Sequence, residues 1–213
     1  MQTKTAREIH GYWNRLRAAR PVPERCDIEP AEIGPILPDL FMLEHDAPAG
    51  LRFRLAGTRL CTRFDRELKG HDFAEIWSEE TRSRIALTGE TVIARQTPAV
   101  LLAAGYTARR ERVLAEVVLL PLRSETGAVD RIIGALSPLA PRGPFELPFT
   151  HMTLEMADFI DLDRHDTDQG GGYPQAGSGA AAPAAIAVRS TGLGETVRRV
   201  LHLRIFEGGR HGR

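Results

Sequence analysis

Residues 53–70 read FRLAGTRLCTRFDRELKG. Phe53 and Leu55 flank Arg54 at the two-residue period of a half-buried strand. Gly57 then breaks the pattern. Leu60, Cys61 and Phe64 form the apolar side of a helix of barely two turns, and Gly70 turns the chain again. A strand left so abruptly leads either into a catalytic loop or across a sheet to build a wall. The flanking elements decide between the two.

Upstream, residues 5–19 have Ile9, Trp13 and Leu16 at i, i+4 and i+7 with Tyr12 beside them, so one helical stripe is apolar. Pro21 and Pro23 end that helix. A second short helix begins near Pro30 and stops by Pro38. LFMLEHD (40–46) reads as a strand, APAG (47–50) as a turn, and LRFRLAG (51–57) as a strand with Leu51, Phe53 and Leu55 facing one way.

Downstream, 78–96 is the longest helical candidate, with Ser78 as N-cap and Glu79 and Glu80 at the positive end of the dipole. Ile85, Thr88 and Val92 mark one face. Strands follow at 99–106, 112–122 and 129–139, and HMTLEMADFIDL (151–162) has Leu154, Ala157 and Asp158 at helical spacing. The stretch 166–185 is rich in Gly, Ala, Pro and Ser and predicts a flexible linker. An apolar and basic segment returns at 195–209.

The order is helix, two strands, short helices, one long helix, three strands. It predicts an α+β fold: a five-stranded antiparallel sheet with helices on one face, an N-terminal helical extension and a flexible C-terminal tail. The glycine breaks at 57 and 70 then let short helices cross a small sheet.

The chain resembles a PAS domain, and more closely the bacterial family of proteins built from a single PAS domain. The resemblance lies in YWNRLR (12–17), RCDIEPAEIGPILPDLFMLE (25–44), RFRLAGTRLCTRFDRELKGHDF (52–73), Trp77, LLPL and IIGALSPL, and covers 7–162. The family pattern has glycine where this chain has Asp65. The resemblance divides the chain into a helical extension (1–38), a PAS domain (39–162) and a linker with a short C-terminal segment (163–213). It implies a sensory and interaction module rather than an enzyme, one that regulates signalling through a protein partner, with or without a small ligand.

Ligand-cavity candidates from pattern alone are Phe53, Leu55, Leu60, Phe64, Trp77, Val92, Val117 and Leu119, which would suit an apolar ligand. Trp77 serves first as an anchor closing the core. Ile9, Tyr12, Trp13 and Leu16 offer a helix face for a homodimer or a partner.

Composition bounds the alternatives. The 213 residues carry 28 basic and 28 acidic side chains, a net charge of zero that argues against a phosphate-neutralising protein. The arginines at 52, 54, 59, 63 and 66 leave a basic surface contacting nucleic acid as the alternative reading. An enzyme with an unrecognised site comes behind it. No stretch approaches the roughly 20 apolar residues of a membrane span. Two cysteines, Cys26 and Cys61, lack CxxC or Cys/His neighbours, which fits a cytoplasmic protein without a disulfide scaffold or zinc site. No GxSxG or P-loop is present. The histidines lack HxH or HxxxH spacing. His71 lies where some PAS proteins ligate haem, but reads as a capping or surface residue. Cys61, in RLCTRF, lacks the flavin-photosensor context. Haem and flavin are therefore not expected.

Overall fold

The computed structural model describes residues 1–46, 50–140 and 147–162, with the backbone of 198–200 and 203–205. Strands β1 (Leu40–Asp46) and β2 (Gly50–Ala56) form the hairpin expected from LFMLEHD and LRFRLAG. Helix α2 (Thr58–Phe64) follows, then a 3₁₀ turn (Phe73–Ile76) and helix α3 (Glu79–Arg95). Strands β3 (Ala99–Thr107), β4 (Arg112–Arg123) and β5 (Val129–Pro138) form a meander. The sheet is antiparallel throughout, in the order β2-β1-β5-β4-β3 with a further strand, Phe149–Phe159, beside β3.

The sixth strand, β6 (Phe149–Phe159), stands where a final helix over 151–162 was expected. It pairs with β3 and carries two irregularities that place an extra residue at Thr150 and at Glu155. Each bulge reverses the side-chain alternation. The residues facing the main core are thus Phe149, Met152, Leu154 and Ala157. Spacings of three, two and three imitate a helix on paper.

Strand β4 is buried on both faces, which explains its near-continuous apolar run. Val117 and Leu119 point into a core closed by α2 and α3. Val118, Leu120 and Leu122 point to the opposite side. That second layer is the N-terminal extension: helix α1 (Lys4–Arg17) and a 3₁₀ segment (Pro30–Asp39). The expected helical wall covers one face, and the extension covers much of the other.

Helix α1 is tied at both ends. Thr3 caps it, its side chain accepting from the Ala6 amide. The buried Glu116 carboxylate accepts from the Gln2 and Thr3 amides and the Thr3 hydroxyl at 2.7, 2.8 and 2.8 Å. Trp13 donates its indole N–H to the Pro121 carbonyl at 2.8 Å. Ile9, Tyr12 and Trp13 are buried and Leu16 is half-buried. The stripe offered to a second copy therefore packs on the chain's own sheet.

Contacts divide the chain into Met1–Gly170 and Gly171–Arg213. In the second unit Arg198–Val200 (β7) and Leu203–Ile205 (β8) pair antiparallel. The expected linker at 166–185 lies outside the described residues, as do the rest of 195–209 and Ala47, Pro48 and Ala49 of the expected turn. No helix among the described residues is long and apolar enough to cross a membrane.

Candidate functional site

The turn at Gly57 is a packing requirement. A side chain there would collide with the Leu37 and Pro38 carbonyls, where α2 starts against the end of the 30–39 segment. The Gly57 amide donates to the Leu40 carbonyl at 2.8 Å. Asp39, buried beneath α2, accepts from Arg63 at 2.8 Å and from Arg59. This ion cluster clamps α2 to the segment that precedes the sheet. Asp65, where the family pattern has glycine, ends α2 in the left-handed region at φ 49°. Aspartate tolerates that region better than most residues. Gly70 takes φ 85°, and its amide donates to the Phe53 carbonyl at 2.7 Å.

Between the sheet and the wall lies an aromatic cluster. Phe53 and Phe73 meet edge to face at 5.6 Å, Phe73 and Trp77 at 5.8 Å, and Phe64 and Phe149 at 5.9 Å. Leu60 from α2, Val92 from α3, and Val117 and Leu119 from β4 are fully buried in the same core. Seven of the eight cavity candidates are thus brought together: Phe53, Leu60, Phe64, Trp77, Val92, Val117 and Leu119.

Leu55 is the exception, 50% exposed on the other face. Met42 pairs with Leu55 while Leu43 pairs with Phe53, so Arg54 is an extra residue in β2. That bulge turns Leu55 away from the core. Its signal in the sequence was an unbroken alternation, which gave no warning.

One polar atom in the inner core stands out, and the pattern did not mark it. Trp77 Nε1 is buried without a hydrogen-bond partner, and an indole N–H ordinarily finds one. Around it the core is built of apolar and aromatic side chains, and the buried Thr88 hydroxyl on α3 is satisfied, donating to the Arg84 carbonyl at 2.7 Å.

The groups weighed for chemistry lie elsewhere. His71 is at the surface, its Nδ1 3.0 Å from Glu75 Oε2. Cys61 Sγ lies 3.7 Å from the Glu67 carboxylate rather than beside an imidazole. No group of three or more potential metal ligands occurs among the described residues. Three surface groups are held away from their ordinary pKa values. For Glu75, burial pushes upward, but the His71 hydrogen bond, the Asp72 amide and the His71 and Arg66 charges outweigh it, and the value is lowered. Arg112 is raised, chiefly by its hydrogen bond to Glu155, and the Cys26 thiol is raised, chiefly by its hydrogen bond to Glu24.

The basic run at 52–66 is largely engaged at home: Arg54 with Glu44, Arg59 and Arg63 with Asp39, and Arg66 with Glu75.

A family model described as a PAS domain matches residues 1–137. No curated protein matches the chain. Among solved structures, a light-oxygen-voltage domain studied with a flavin analogue is 12% identical, with a TM-score of 0.42, covering 52% of this chain and 83% of its own. The light-state structure of the Aureochrome1 LOV photoreceptor is 13% identical, with a TM-score of 0.40, covering 53% of this chain and 89% of its own. The Rhodobacter sphaeroides LOV protein is 14% identical, also at 0.40, covering 49% of this chain and 60% of its own.

Proposed function

The chain belongs to the PAS domain family, and from that premise we propose a sensory and interaction module that regulates signalling through a protein partner. In this reading a small apolar ligand lies between the inner sheet face and the helices α2 and α3. Phe53, Leu60, Phe64, Val92, Val117 and Leu119 form its apolar surroundings. The observation that carries the reading is Trp77: its buried, unpartnered indole N–H is a ready donor for a ligand with one acceptor atom. Such a group costs about 1–3 kcal/mol while unpaired, so a ligand that accepts from it gains affinity without displacing another bond.

The partner surface follows from α1. Ile9, Tyr12 and Trp13 face the sheet, so a homodimer or partner complex built on this stripe requires α1 to leave it. Departure would break the Glu116 cluster and the Trp13–Pro121 hydrogen bond. A ligand that shifts β4 from the inner side would bias that equilibrium, because β4 contributes to both layers.

The test is mass spectrometry of freshly purified protein, native and then denatured, with an absorption spectrum on the same sample. The expected result is a non-covalent mass lost on denaturation, weaker in Trp77→Phe. A bare mass in every preparation would remove the ligand from this proposal. Pull-down with and without residues 1–17 then tests the partner separately.

A further inference from the structure

The outer sheet face is unevenly covered. Helix α1 lies over β4 and β5, while beside the 30–39 segment, over β1 and β2, a cleft of about 220 Å³ opens. Its apolar walls include Ile28, Ile33, Leu37, Leu40, Leu55 and Ile133, with Met42 among them. Leu37 and Leu55 remain 38% and 50% exposed, two of the few large apolar side chains so placed. The bulge at Arg54 is what delivers Leu55 to this face.

A second cleft, of about 570 Å³, adjoins the first and shares Arg25, Met42 and Leu55 with it. Its lining is cationic: Arg25, Arg54, Lys69 and Arg131 stand against Glu125. Glu44 engages Arg54 and Arg131 at 3.7 and 2.8 Å. The side chains of Arg25 and Lys69 have no ion-pair partner among the described residues.

An apolar trough with unpaired cations at its mouth complements a molecule with an aliphatic body and one anionic end. The trough is also stiff. Pro30, Pro35 and Pro38 fix the backbone of the covering segment, and Gly57 is packed against its last carbonyls. A preformed site loses little entropy on binding. Its size is that of one short chain, whereas a stable protein contact buries roughly 800 Å² per partner.

We infer that this outer cleft binds a free aliphatic carboxylate, its chain against Leu37, Met42 and Leu55 and its carboxylate on Arg25 and Lys69. The site is separate from the interior one proposed above, and neither requires the other.

The chain's methionines, Met1, Met42, Met152 and Met156, supply the test. Met42 lines the outer cleft, while Met152 is fully buried in the inner core. Full-length protein with ¹³C-labelled methionine methyls is titrated with decanoate below its micelle concentration, and in parallel with decylammonium. Decanoate should shift the Met42 methyl and leave Met152 in place. Decylammonium should bind at least roughly tenfold more weakly, as expected when a charge-assisted hydrogen bond is lost. Arg25→Glu should weaken decanoate by a similar factor, and Leu55→Glu should abolish the shift. Both positions reach solvent, and circular dichroism checks that each variant folds. Equal response to both amphiphiles, an unmoved Met42, or a shift at Met152 alone would overturn the inference. A Met152 shift alone would instead favour the interior site. Sedimentation with phosphatidylglycerol vesicles, without a Met42 response to free decanoate, would also overturn it, in favour of a lipid surface.

Discussion

The two faces of the sheet are built from the same strands and held by different forces. On the inner face, aromatic and aliphatic side chains interlock: Phe41 meets Phe53 edge to face and stacks on Phe73, and Phe73 meets Phe53 and Trp77 edge to face. On the outer face, apolar contact is supplemented by directional ties: the Glu116 cluster, the Trp13–Pro121 bond, and Tyr12, whose hydroxyl accepts from the Glu29 amide at 2.8 Å. Burial without polar ties is cooperative and breaks only with the domain. Helix α1, packed on the sheet by Ile9, Tyr12 and Trp13 and tied by those bonds, is a single element that can open as a unit at lower cost than the whole domain. The inner face therefore defines the fold, and the outer face is where the proposed rearrangement of α1 would take place.

The largest effect that tests this contrast is Trp77→Ala. Removing a fully buried indole from the inner core should cost about 3–5 kcal/mol and lower hydrogen-exchange protection throughout β1–β6. Protection lost only around residue 77 would contradict a single cooperative inner core. Glu116→Ala comes next. It leaves the Gln2 and Thr3 amides and the Thr3 hydroxyl without their acceptor, at about 2–3 kcal/mol for hydrogen bonds to a charged group. Here protection should fall in residues 4–17 and hold in the inner strands. On the partner reading, light scattering should also show more self-association, because the stripe of Ile9, Tyr12 and Trp13 is released. Uniform loss of protection would mean that α1 is part of the inner cooperative unit.

Reading the sequence recovered the antiparallel α+β architecture, the β1–β2 hairpin and the meander, because these elements obey simple periodicities. The misplaced features share one cause. Leu55 was placed inward and residues 151–162 were read as helix because β-bulges at Arg54, Thr150 and Glu155 break the two-residue period. A bulge is fixed by pairing with another strand, so it is invisible in the strand's own sequence. Gly89 is the converse case. It weakened the helical pattern of α3, yet any side chain there would meet Leu51, so the glycine is what lets α3 approach β2. The candidate site was legible only as far as burial. The cationic cleft needs Arg25, Lys69 and Arg131 from distant parts of the chain, and no local pattern joins them.

A third, smaller effect tests how the wall is attached to the outer layer. Asp39→Asn leaves Arg63, which is 15% exposed, without its carboxylate, while Arg59 at 52% turns to solvent. The expected loss is about 1–2 kcal/mol, since water compensates the exposed partner. Increased exchange should be confined to α2 and residues 30–39. No change in either would show that Gly57 packing alone fixes the crossing.

The smallest effect belongs to the surface pair His71 and Glu75, which caps the 3₁₀ turn leading to Trp77. The Glu75 pKa is lowered below the ordinary 4.5, because the His71 hydrogen bond, the Asp72 amide and nearby positive charge together outweigh its partial burial. A carboxylate with a depressed folded pKa contributes stability above its unfolded value. That contribution is lost as pH falls through the lowered folded value. Both side chains are nearly half exposed, at 45% and 46%, so salt screens the effect and the inner core should not register it. His71→Ala removes the leading downward influence. The Glu75 titration followed by carboxyl NMR should move up, and the acid-unfolding transition should begin at slightly higher pH. An unchanged Glu75 titration in that variant would assign the lowering to the Asp72 amide and Arg66. A large shift in stability at neutral pH would mean that the surface turn and the aromatic core it precedes are coupled, against the separation of layers argued from the two faces.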